Sequence, residues 1–168
     1  RNFPPNMQGN YLLNNCIGFH GVLQYQVKDA KSGFRADPVQ PLLQSADRNF
    51  RPVDLQFGPD GALYIIDWFN PLVGHMQHSL RDPNRDKSHG RIWRIRYTKR
   101  PLVKPAKIAG QPVAQLLELL KAYEYRTRYR ARRELRSRPT ADVVTALRTW
   151  LRGLDKNDKS YTHRRLEA

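Results

Sequence analysis

The 168-residue chain contains one cysteine, Cys16. A single thiol excludes an internal disulfide and any CxxC zinc, redox or haem-attachment pair. No apolar run approaches the roughly 18 residues of a membrane span, so no transmembrane segment is expected in this stretch. A signal-like apolar core is also missing, and targeting is not legible. Without a GxSxG elbow, a P-loop or an HExxH pair, the sequence marks of serine hydrolases, P-loop nucleotidases and zinc peptidases are absent. Acids are scarce, with 15 Asp and Glu against 30 Lys and Arg, a formal charge of +15. Apolar residues reach only 39%, below the roughly 45–50% of ordinary globular chains. The 10% of aromatic residues nevertheless supplies area enough to argue against disorder.

These scarcities are unevenly spread. Residues 1–98 carry 12 Lys and Arg and 8 acids, whereas residues 99–168 carry 18 and 7. Nine of ten glycines lie at or before Gly110, eleven of twelve prolines at or before Pro112, and every acid before Glu118 is Asp. Gly, Pro and Asp punctuate strands and turns, while Glu, Leu and Arg suit helices. The expected fold is therefore mixed and segregated, β then α, joined by a Pro-rich linker over 99–110.

Gly21–Lys28 places Leu23, Tyr25 and Val27 on one face by period-two alternation. Weaker strands are expected near Tyr11–Cys16 and Val39–Leu43. In Arg51–Trp68, Val53, Leu55 and Phe57 alternate before the turn Gly58-Pro59-Asp60-Gly61, and Ala62–Ile66 returns the chain. Pro59 suits a type I turn and Gly61 the left-handed position of a short hairpin loop. Arg91–Tyr97 is a further strand. Short strands at close spacing suggest a sandwich, barrel or propeller.

The strings FGPDGALYIIDW (57–68) and HGRIWRI (89–95) resemble a blade of the six-bladed propellers related to soluble quinoprotein sugar dehydrogenases. The stretch 49–95 as a whole is similar to the PVC-type haem-binding CxxCH proteins, also described as membrane-bound dehydrogenases. That resemblance implies antiparallel β-propeller blades over 1–98 and the start of α-helical HEAT-like repeats over 111–168. It further implies an exported, periplasmic or membrane-associated parent that oxidises a sugar or alcohol with pyrroloquinoline quinone (PQQ) and calcium. Electrons would pass to haem c on a domain absent from this stretch, which has no CxxCH. On this reading the chain is an internal piece and inactive alone. The competing class is a non-catalytic carbohydrate- or protein-binding propeller on a helical scaffold.

In the second half, Val113, Leu116, Leu117 and Leu120 form an i, i+3, i+4, i+7 stripe, which Leu147, Trp150, Leu151 and Leu154 repeat 34 residues later. That period is near those of two-helix repeats. Arg126–Arg138 predicts a helix stopped by Pro139, with Thr140 as N-cap of the next, and Tyr161–Ala168 begins another.

Chemistry is sought first in the loop 67–90, whose length marks it as functional or disordered. It carries His75, His78 and His89, three of the five histidines. By the resemblance, His75 and His78 are candidate bases on a substrate alcohol, and Arg81, Arg85 and His89 candidate cofactor contacts. Asp82, Asn84 and Asp86 copy the first half of an oxygen-ligand loop for calcium. Lys87 and Trp93 stand where an EF-hand needs Gly and Glu, so an EF-hand is excluded. The alternative is structural: Asp82 and Asp86 cap turns, the arginines pair with them, and the histidines bond backbone. Asp67 is expected to serve hydrogen bonding between blades rather than catalysis, His20 to serve a turn or the core, and Cys16 to be a small buried apolar group.

Seven of the thirteen residues 126–138 are arginine, with Tyr125 and Tyr129 nearby. Phosphate or nucleic-acid binding is one reading. Ala131 and Leu135 instead suggest a helix packed by a narrow seam with solvated arginines, leaving an acidic protein partner or lipid surface more plausible than nucleic acid.

Overall fold

The computed structural model describes residues 2–74 and 81–168. Two compact units result: Asn2–Gly58 with Ala62–Leu102, and Val103–Ala168 with the turn Pro59–Gly61.

Among the described residues the first unit has six strands, β1 (Tyr11–Asn15), β2 (Gly21–Ala30), β3 (Gly33–Gln44), β4 (Pro52–Phe57), β5 (Leu63–Asp67) and β6 (Arg91–Ile95). They form two antiparallel sheets in the orders β1-β2-β3 and β4-β5-β6. Strand alternation sets the faces, but on β2 the buried face is that of Val22 and Gln24, not the Leu23, Tyr25 and Val27 face read as apolar. Val22 and Gln24 of β2 point inward opposite Asn14 and Leu12 of β1. Leu63 and Ile65 of β5 point inward between Phe57 and Leu55 on one side and Ile95 and Trp93 on the other. Phe3, Val22, Phe50, Leu63 and Ile65 make one core, against which Leu12, Leu43, Leu55 and Ile95 pack. The first residues are stitched in as well. Asn2, fully buried, accepts the Tyr97 N–H at 2.7 Å and donates to the carbonyls of Tyr97 and Arg100. Gly61 takes φ +79° at the hairpin turn, where Gly58 N–H bonds the Ala62 carbonyl at 2.8 Å.

The second unit has four helices, α1 (Val113–Leu119), α2 (Tyr125–Arg136), α3 (Thr140–Arg152) and α4 (Tyr161–Glu167). Leu116, Leu117, Leu120, Ala131 and Leu135 are its buried core, with Val143, Leu147 and Trp150 packed on it. Pro139, not Thr140, occupies the N-cap of α3, and no side chain caps it.

Two expectations are overturned. No propeller blade is present among the described residues, because each sheet has three strands, neither closes, and both cover one shared core. A blade is a four-stranded sheet repeated about a channel. Nor do the described residues form a HEAT-like solenoid. The stripes on α1 and α3 repeat in sequence, but Leu147 and Trp150 of the second pack on the same core that Leu116 and Leu117 of the first supply. In a solenoid each would instead lie in a successive stacked unit. The helices α1 and α4 are also only seven residues long.

Candidate functional site

Strand alternation puts Asp67 on the inner face of β5 beside Ile65, with a fractional exposure of 1%. A carboxylate there must be surrounded by donors. Its Oδ1 accepts the backbone N–H groups of Arg51 (2.8 Å) and Phe69 (2.9 Å), and its Oδ2 accepts Arg91 Nε (2.7 Å) and Trp93 Nε1 (3.0 Å). Burial pushes this carboxyl upward, but the donors of Trp93, Arg51, Phe69 and Arg91 outweigh it and hold the group below the ordinary aspartate range.

Arg51 precedes β4 and is 7% exposed. Its Nε donates to the Asn70 carbonyl (2.8 Å) and its Nη2 to that of Pro71 (3.0 Å). Its Nη1 reaches the Cys16 carbonyl (2.5 Å) and His20 Nε2 (2.6 Å). Guanidinium has donors only, so His20 accepts through Nε2 and is neutral. Burial, with Arg51 and Arg48 as neighbouring cations, pushes the His20 imidazole below its ordinary range. One arginine thus ties together the segments before β2, before β4 and after β5.

Asn70, also buried, carries this network into the loop after β5. Its amide donates to the Asp86 carbonyl (2.9 Å), its side-chain oxygen accepts the Leu72 N–H (3.2 Å), and Arg85 Nη1 reaches the Leu72 carbonyl (3.4 Å). Asp86 accepts the N–H groups of Ser88 (2.9 Å) and His89 (3.0 Å) and lies 2.7 Å from His89 Nδ1. The Ser88 N–H, followed by the His89 contacts, lowers its pKa to about 2 against a weaker upward push from desolvation. Around this rim the Arg91 guanidinium lies 4.0 Å over the Phe69 ring and 5.2 Å from Trp93. It also donates to Asp47 at 2.9 Å. Phe69 adopts φ +53°, a conformation costly for a bulky side chain. The Asp67 bond to its N–H and the stacked Arg91 hold it there.

Of the residues singled out in the sequence, His75 and His78 lie outside the described residues. Arg81 is exposed. Arg85 is buried and turned onto the backbone. His89 is paired with Asp86, its side chain 68% exposed. Asp82 Oδ1 accepts the Asn84 N–H at 2.9 Å, so Asp82 and Asp86 each fold onto their own turn, and Asn84 contributes backbone to the first of these. Among the described residues no group of three or more His, Cys, Asp or Glu could hold a metal ion. The quinone expected from the resemblance needs convergent guanidinium groups for its carboxylates. Arg51, Arg85 and Arg91 instead address backbone carbonyls, His20 and the carboxylates of Asp47 and Asp67.

Sequence reasoning missed Arg51, Phe69, Asn70 and Trp93. Arg51 carries a signal only in hindsight, as a lone cation between Phe50 and the strand Pro52–Phe57. The donor role of Trp93 follows from its place two residues beyond Arg91 on the same strand face.

A family model described as a domain of unknown function, DUF7133, matches residues 1–99. The match covers more than half of the chain, which belongs to that family. Neither a curated protein nor a solved structure matches it.

Proposed function

We propose that this member of the DUF7133 family is a non-catalytic binding module for a protein ligand, its first unit holding residues 67–74 and 81–90 in place as the recognition element. One observation carries the reading: the charged groups at the base of these segments bond the chain's own backbone and one another. The Asp67 carboxylate accepts four donors, Arg51 addresses three carbonyls, and Asp86 closes its own turn. A rigid scaffold that fixes a loop is how loops come to recognise ligands. A protein is favoured over a carbohydrate because Arg91 covers the Phe69 ring face that a sugar would stack on. Aromatic and arginine groups in one patch are also typical of protein interfaces.

A second reading is favoured by the Asp86–His89 pair. An ionised carboxylate 2.7 Å from Nδ1 leaves Nε2 as the acceptor of an exposed imidazole. Such a group can take a proton from a substrate hydroxyl. This is the proton-transfer half of the alcohol or sugar oxidation that the sequence resemblance implies.

One experiment separates the two readings. The intact protein is supplied with PQQ, calcium, and a panel of sugars and alcohols, and reduction of an artificial dye is followed. The binding module gives no turnover above the blank and no retention on immobilised glycans. Turnover that His89→Gln abolishes without unfolding the protein would overturn the binding reading in favour of the oxidoreductase.

A further inference from the structure

The helix α2 divides its arginines between two roles. On one side Arg128 and Arg132 both pair with the half-buried Glu167 of α4. Arg128 also donates to the carbonyls of Ala122 and Tyr123 at 2.8 Å. Arg138 pairs with Glu134 at 2.6 Å. These cations are neutralised within the unit. On the other side Arg130, Arg133 and Arg136 are exposed, and among the described residues no carboxylate pairs with any of them. Two of the three, Arg130 and Arg133, line a cleft of about 530 Å³ together with Ala106, Ile108 and Ala109 of the segment before α1, where the half-buried Ile108 also packs on the core of the unit. The carboxylate at its edge, Glu134, is already engaged by the Gly110 N–H (3.1 Å) and by Arg138. The cleft lining is therefore part cationic and part apolar.

We infer that this cleft is a docking site for an acidic peptide segment, two of its carboxylates meeting Arg130 and Arg133 and an apolar side chain between them resting on Ile108. Charge complementarity carries the choice of partner. Planar guanidinium groups match carboxylates in bidentate geometry, and Arg133 is steadied against the Tyr129 ring, 5.9 Å from its centroid. A single-stranded nucleic acid fits less well, because stacked bases need free aromatic faces. The nearby rings are already attended by the protein's own cations, Tyr129 by Arg126 and Arg133, and Tyr125 by Arg128 and Arg132. An anionic membrane would make no use of the apolar lining, and the apolar residues of α2, Ala131 and Leu135, face inward. This inference rests on the second unit alone and stands apart from the reading of the first.

The test uses the whole chain and a fluorescein-labelled peptide alternating Glu and Leu, followed by anisotropy. Competitors are poly-glutamate of equal charge, oligo-thymidylate, and phosphatidylserine vesicles. Arg130→Gln with Arg133→Gln should weaken peptide binding about tenfold, the loss of two charge-assisted contacts at an exposed site. Ile108→Ser should weaken the Glu-Leu peptide but not poly-glutamate, and Lys159→Gln should leave binding unchanged. Since Arg130 and Arg133 are exposed, the double variant keeps its helical circular dichroism. Equal losses from Lys159→Gln and from the cleft variant would overturn the proposal, as would stronger competition by oligo-thymidylate or vesicles than by the unlabelled peptide.

Discussion

The two units use charge in opposite ways. In the strand unit a nearly balanced set of charges turns inward, where Asp67, Arg51 and Arg91 bond backbone and one another. In the helical unit an excess of cations turns outward, with a few pinned by Glu167 and Glu134 and the remainder left along a cleft. Net charge alone would direct attention to the arginine helix for every function. Burial shows that the fewer charges of the strand unit hold more of the structure together, because an unpaired charge inside costs several kcal/mol and one in solvent costs little.

The sharpest way to break this contrast is Asp67→Ala. It leaves Arg91 Nε, the Trp93 ring nitrogen and two backbone N–H groups without their acceptor, while Arg91 keeps only Asp47 among the described residues. A loss of about 3–5 kcal/mol is expected, read from urea unfolding of the full chain by tryptophan fluorescence. Arg51→Lys is next. It keeps the charge but not the fork that reaches three carbonyls and His20, and about 2 kcal/mol should be lost in the same assay.

How much of this was legible beforehand depended on whether the signal was local. The hairpin about Gly58–Gly61, the strand at Arg91–Ile95 and the apolar stripe of α1 rest on nearest-neighbour periodicity, and all three are present. The closure of the sheets was not legible. Whether β4-β5-β6 joins a ring of blades or packs with β1-β2-β3 over one core is set by contacts far apart in sequence, such as Phe3 with Phe57. The stripe of α3 misled for a related reason: two similar apolar faces at a fixed spacing fit a repeat and a shared core equally well. In the site, the Asx turns of Asp82 and Asp86 follow from residues two apart. The reach of Arg51 to Cys16 and His20 spans more than thirty residues and leaves no pattern in the sequence.

Acid titration sharpens the comparison further. His20 has its folded pKa pushed below 6.5, by burial first and then by Arg51 and Arg48. The unfolded chain therefore binds the extra proton more readily. Stability from this group is complete above 6.5 and falls as the pH drops through that value toward the folded pKa. The carboxylates Asp67 and Asp86 are lowered from 3.8, so their contribution is kept above that value and lost only in stronger acid. The strand unit should accordingly lose stability in two separate pH windows, and His20→Gln should remove only the upper one. Unfolding midpoints measured from pH 8 to pH 2 resolve the two.

The smallest effect belongs to the cleft. Arg130→Gln with Arg133→Gln should change unfolding free energy by no more than about 0.5 kcal/mol, although peptide binding falls. A large loss of stability in that variant would show that these arginines hold the fold, and the contrast between the units would disappear.

The inward use of charge is tested most directly by native-state hydrogen exchange at two amides. Arg51 and Phe69 both lie just outside the strands, and their N–H groups bond only the Asp67 carboxylate among the described residues. If the buried network locks the strand unit, both amides exchange as slowly as the Ile65 amide in the centre of β5, and Asp67→Ala brings both to the rate of an open loop. Exchange of Arg51 and Phe69 at loop rates in the unmodified protein would contradict the account.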